Sequence, residues 1–119
     1  MNFKQLNNYL LSKKGAACDY PFDETTRVYR VMDKMFALIG DDKEPLSINL
    51  KCNPLYALEL RSLYPYIKSG YHMNKKHWNT VTINKDIDDE LLQELIDHSY
   101  ELVVSKLTKK QREKIQYNS

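Results

Sequence analysis

Apolar residues recur along the chain at two spacings, and each change of spacing marks a change of element. Phe3, Leu6 and Leu10 follow the three-to-four step of a helix face, which predicts a helix capped by Asn2 and running to about Lys14. Gly15 then stands where a helix C-terminus favours a left-handed residue. The segment Ala16–Glu24 mixes small and aromatic residues around Pro21 and reads as an irregular or edge connection. Strand-like runs follow at Arg27–Val31 and Lys34–Ile39, separated by Met32–Asp33, and a polar turn over Gly40–Pro45 leads to a third at Leu46–Lys51. The third alternates cleanly: Leu46, Ile48 and Leu50 take one face, Ser47, Asn49 and Lys51 the other.

Asn53–Pro54 is a helix start in which Asn caps and Pro sits where its missing N–H costs nothing. This helix is expected to run to about Leu63, before Tyr64–Pro65 stops it. Two further strands fit Tyr66–Met73 and His77–Asn84, joined by a basic turn at Asn74–Lys76. Val81 and Ile83 share the inward parity, so Thr80, Thr82 and Trp78 start on the opposite face. Asp88 caps a long last helix, Asp89 and Glu90 complement its positive end, and Ile87 against Leu92 forms a hydrophobic staple. Its buried stripe is Leu92, Leu95, Ile96, Ser99 and Val103, with the Ser99 hydroxyl expected to bond back to a helix carbonyl. Thr108–Ile115 is either a short basic helix or a frayed tail. The order α-β(3)-α-β(2)-α predicts an α+β fold, a two-layer α/β sandwich with a five-stranded antiparallel sheet and its helices on one face. One domain spans 1–119, with its core over about 2–107 and a basic tail over 108–119. The other sheet face is left open.

Composition narrows the class without naming an activity. The chain has 119 residues, 42% apolar and 29% charged, which suits one globular domain. It has no apolar run of the roughly 18 residues a membrane span needs, no apolar signal region, and too few cysteines for a disulfide framework. A soluble, monomeric cytoplasmic protein is the expectation. The net charge of +2 conceals a segregation: residues 1–85 carry +5, residues 86–105 carry −7 with no Lys or Arg, and residues 106–119 carry +4. The acidic block reads as the solvated face of the last helix.

Catalytic signals are weak. Cys52 precedes a helix start, but nothing marks a base for it, and Cys18 has less context still. His72 and His77 lack further metal ligands nearby, and His98 and Ser99, adjacent on a helix, diverge by about 100°. With no phosphate-binding loop or hydrolase motif, no catalytic residue, metal or cofactor is expected. The informative stretch is Pro65–Asn84, where Lys68, Lys75 and Lys76 interleave with Tyr71, His72, His77 and Trp78. Together with Lys51 on the open face, these suit nucleic acid, since cations neutralise phosphate while rings stack or wedge. Three other readings stand beside it. The same aromatics anchor a protein partner, or Trp78 and Tyr71 plug a satellite core beneath a loop, or Cys52, His72 and His77 serve a small enzyme.

The chain also resembles the MmcQ/YjbR family of small bacterial proteins. The resemblance is carried by Tyr20–Asp23, Lys34–Ala37, Leu50–Pro54, Arg61, Gly70–Val81, Ser99–Tyr100 and Leu102–Val103. Ser69 stands before Gly70 where the family often has Pro. The resemblance implies a CyaY-like two-layer fold, no enzymatic activity and no cofactor. It also implies DNA binding, through likeness to the double-wing domain of a phage transcription factor, although the fold is shared with frataxin-like iron binders and secretion chaperones. On that reading Lys51, Lys68, Lys75 and Lys76 meet the phosphates of double-stranded DNA, and Tyr71, His72, His77 and Trp78 meet sugars or bases. A protein-interaction module using the same open face is the alternative.

Overall fold

The computed structural model describes residues 1–40, 44–71 and 73–117. Helix α1 (Phe3–Leu11) opens on a capping box: Asn2 Oδ1 accepts from the Gln5 N–H at 2.8 Å, and Gln5 Oε1 accepts from the Asn2 N–H at 3.0 Å. It stops short of Lys14, with the Ser12 hydroxyl donating to the Tyr9 carbonyl at 2.6 Å. Gly15, at φ 74°, then turns the chain into β1 (Ala16–Asp19).

That strand resolves the reading of Ala16–Glu24 as an irregular or edge connection in favour of the edge. It is an edge strand, antiparallel to β2, with Ala16 opposite Val31. Its side chains alternate half-buried and exposed, so it never needed the large β-branched residues by which a strand is recognised. β2 (Thr26–Val31) and β3 (Lys34–Gly40) form a hairpin on Met32–Asp33, both in the left-handed region at φ 49° and 67°. β4 (Ser47–Lys51), α2 (Pro54–Leu63), β5 (Ile67–Ser69), β6 (Trp78–Thr82), α3 (Asp89–Ser105) and α4 (Lys109–Tyr117) complete the order. The sheet is six-stranded rather than five-stranded, runs β1-β2-β3-β4-β6-β5, and is antiparallel throughout. Of the expected turn over Gly40–Pro45, residues 41–43 lie outside the described residues, and the C-terminal segment is a fourth helix.

All four helices cover the same face of the sheet. Leu10 of α1, Leu60 of α2, Ile96 of α3 and Ile115 of α4 join one core with Ile39 and Ile48. The cap of α3 is as expected: Asp88 Oδ1 accepts from the Leu91 N–H at 2.7 Å, and Ile87 and Leu92 are both buried. α2 begins on the expected Asn53 cap, whose Oδ1 accepts from the Leu55 N–H at 3.0 Å.

The register slips once, between Tyr29 and Arg30, so Tyr29 faces Ala37 while Arg30 faces Met35, and Phe36 is the extra residue of a β-bulge. Its ring turns into the core and meets Tyr100 edge-on at 5.4 Å. Its carbonyl accepts from the Ser99 hydroxyl at 2.5 Å, and Ser99 Oγ in turn accepts from the Lys51 N–H at 2.9 Å. Ser99 therefore does not bond back along its own helix. It ties α3 to β3 and β4 at once, at a point where its side chain is fully buried.

Replacing Ser99 with Ala strands both a carbonyl and an N–H away from water, an expected loss of about 2 kcal/mol in urea unfolding. A loss under about 0.5 kcal/mol would show that neither group depends on the hydroxyl.

Candidate functional site

The uncovered face of the sheet carries alternate residues of each strand: Arg30 of β2, Leu38 of β3, Asn49 and Lys51 of β4, Trp78 and Thr80 of β6, and Lys68 of β5. Trp78 is on this face, as its parity predicts, yet only 7% of it is exposed. It forms a second, smaller cluster with Val28 and Leu38, flanked by Met35 and Met73. The satellite-core reading therefore holds for Trp78, whose ring has little surface left for a ligand. It fails for Tyr71, which is 69% exposed.

The cover over Trp78 is the loop after β5, where longer strands over Tyr66–Met73 and His77–Asn84 were expected. Past Ser69 the backbone finds its partners elsewhere. The Gly70 N–H donates to the Trp78 carbonyl at 2.8 Å, and a Cβ at Gly70 would lie 2.8 Å from that of Trp78, so only glycine fits. The Tyr71 N–H donates to Thr80 Oγ1 at 3.0 Å, and Lys75 Nζ donates to the Gly70 carbonyl at 3.1 Å. Arg61 of α2 holds the loop's return. Its Nε donates to Asn79 Oδ1 at 2.6 Å, and its Nη2 donates to the Trp78 carbonyl at 3.3 Å and to the Lys75 carbonyl.

The sequence-predicted cations fall around this loop. Lys75 and Lys76 are exposed on it, Lys68 is exposed opposite Thr80, and Lys51 is half-buried opposite Trp78. His77 is half-buried, with its carbonyl accepting from the Cys52 N–H at 2.8 Å; His72 lies outside the described residues. Burial, then the charges of Lys106 and Lys34, lowers the pKa of Lys51. Those two lysines extend the basic group and were not singled out from sequence. Their only signal was an exposed cation opening β3 and another closing α3. The acidic residues of α3 sit in the helix layer, on the other side of the sheet. Two of them are engaged: Asp97 pairs with Lys13 and accepts from the Tyr9 hydroxyl at 2.6 Å, and Asp89 pairs with the N-terminal amine at 2.8 Å.

At its far end the open face holds a cavity of about 860 Å³, with Leu38 and Thr80 in its floor and Phe22 and Tyr71 in its walls. Asp23 and Glu44 line it as well. A third of this lining, including Phe22, Asp23 and Glu44, comes from the segments read as connections, which hid it.

Cys52 is 4% exposed and burial pushes its thiol up to about 11, against the pull of Arg61. His98 Nε2 accepts from the Asn53 N–H at 3.2 Å, with its ring edge-on to Tyr56 at 5.0 Å. Burial holds its pKa below the usual imidazole value, with the Glu94 charge opposing. Among the described residues, no helix is long and apolar enough to cross a membrane.

Two outcomes are expected. In Arg61→Ala, emission from Trp78, the single tryptophan, should shift to the red, and amides over residues 73–79 should lose exchange protection while α1 and α3 keep theirs. Unchanged emission would mean that the loop holds without the arginine. His98 sets a pH dependence, because the unfolded chain takes up a proton from about pH 6.5 while the folded state resists. Stability should fall from pH 7 toward pH 5, and thermal unfolding of His98→Gln, which keeps an acceptor for Asn53, should show a shallower fall.

The chain aligns with the Escherichia coli O157:H7 protein YbdF at 38% identity over 96 residues, covering 81% of this chain and 79% of that protein. YjbR of Escherichia coli K12 is 29% identical over 112 residues, covering 94% and 95%. Among solved structures, a Deinococcus radiodurans protein superposes with a TM-score of 0.89 at 38% identity, covering 95% of this chain and 86% of that one. A Pseudomonas syringae protein does so at 0.74 and 32% identity, covering 86% and 98%. The YjbR family pattern matches residues 11–102, and with these relatives it establishes that the chain belongs to the YjbR family.

Proposed function

We propose that this protein binds double-stranded DNA, as a monomer, through the basic end of its open sheet face. The observation that carries the reading is the convergence of Lys51 on that face with Lys34 of β3 and Lys106 at the end of α3, which come from the helix side of the sheet, close enough to lower the pKa of Lys51. None of the three has an acidic partner within ion-pair distance among the described residues. Like charges gathered in this way oppose folding, and an anionic polymer across them relieves the repulsion. Lys75 and Lys76 on the adjoining loop, and Lys68 along the same face, extend the group to the spread of a phosphate backbone. Trp78 acts from beneath, holding the loop, rather than as a base contact. The double-wing resemblance points the same way.

A protein-partner reading has its own observation, on a different surface. Leu55, Leu58 and Leu63 of α2 are 80%, 59% and 59% exposed, an apolar helix face of the kind that docks against protein.

Fluorescence anisotropy with a labelled 20-base-pair duplex tests the DNA reading. Four to six phosphate contacts give a log–log salt slope of about −4 to −5. Replacing Lys34, Lys51 and Lys106 together with Gln should weaken binding at least about tenfold and flatten the slope by about three. Equal binding by wild type and the triple variant, or no dependence on salt, would overturn the proposal.

A further inference from the structure

The geometry points to a second site at the opposite end of the open face: the 860 Å³ cavity binds a small organic cation with a flat apolar body. This goes beyond the DNA reading and does not depend on it. The volume lies within the roughly 300–1,000 Å³ of ordinary ligand pockets. The side walls offer the rings of Phe22, 64% exposed, and Tyr71, and the floor offers Leu38 and Met73. Aromatic faces carry negative potential and attract cations. The Thr80 hydroxyl is already engaged, donating to Asn49 Oδ1 and accepting from the Tyr71 N–H, and the small hydroxyls of Ser47 and Thr82 complete the polar lining. Shape and charge give the cavity its selectivity.

The charge is of one sign. Asp23 and Glu44 are the only ionised side chains among the described residues of the lining, in a protein with 18 Lys and Arg against 16 Asp and Glu. The Asp23 carboxylate is fixed in place at the entry to β2, with Oδ1 accepting from the N–H groups of Thr25 at 2.9 Å and Thr26 at 2.6 Å. These bonds hold its carboxyl below the usual range, so it stays ionised in neutral solution. Phosphates are repelled from such a cavity. An ammonium group at the Asp23 and Glu44 rim, with its apolar body against Phe22 and Leu38, meets complementary surface throughout.

Amide NMR titration with three probes of one size tests this: phenethylammonium, neutral 2-phenylethanol and anionic phenylacetate. The cation should shift the amides of Leu38, Met73 and Thr80 and bind at least about tenfold tighter than the alcohol, with phenylacetate weakest. Asp23→Asn keeps the Oδ1 acceptor that the turn requires while removing the charge. Combined with Glu44→Gln, it should erase most of the preference for the cation while the remaining spectrum stays native. The Lys34/Lys51/Lys106 variant should bind the cation at least as well as wild type, whatever its behaviour toward DNA. Equal binding of all three probes, no shifts at the cavity, or an undiminished preference in the Asp23→Asn/Glu44→Gln variant would overturn the assignment.

Discussion

One inserted residue decides what each face of this sheet carries. Strict alternation along β3 would send Met35 and Leu38 to opposite faces. The bulge at Phe36 breaks that rule, placing Phe36 and Ala37 together in the core while Met35 and Leu38 both reach the Trp78 cluster. A bulge also leaves backbone groups out of the ladder, and Ser99 answers this by donating to the Phe36 carbonyl and accepting from the Lys51 N–H. The position of Lys51, the burial of Trp78 and the docking of α3 are thereby set at a single junction. The α3 hydroxyl is buried at the cost of its water, and the two bonds offset that cost.

The second constraint is the loop between β5 and β6. Its backbone is carried by Arg61 of α2 and Thr80 of β6, by its own Lys75, and by the close approach that Gly70 permits. A loop held this way keeps exposed lysines at a defined height over the sheet. It also closes one end of the open face, over Trp78, and leaves the other end as a cavity.

Features written in neighbouring residues were legible in the sequence. The Asn53–Pro54 and Asp88 helix starts, the Ile87–Leu92 staple and the parity of Trp78 each depend on spacing within a few positions, and each stands in the structure. β1 was not legible, because an edge strand half open to water needs no apolar alternation to mark it. Nor was the bulge, since Lys34–Ile39 is nearly continuous apolar sequence and gives no parity to read. The burial of Trp78 depends on a loop returning over it, and the grouping of Lys34 with Lys51 and Lys106 depends on tertiary contact. Pattern along the chain carries neither.

Charge shows most clearly which groups build the fold and which are left over. Arg30 pairs with Asp19, Lys13 with Asp97 and the N-terminal amine with Asp89, while Arg61 is spent on the loop. These charges are engaged within the protein. On the open face, the remaining charges are lysines at one end, around Lys51, and carboxylates at the other, around the cavity. Surface ion pairs add little to stability, so bringing these two groups together would have gained the fold little. Their separation along one uncovered sheet face instead leaves two fields of opposite sign on the same surface. The net charge of +2 sums over the whole chain and describes neither field.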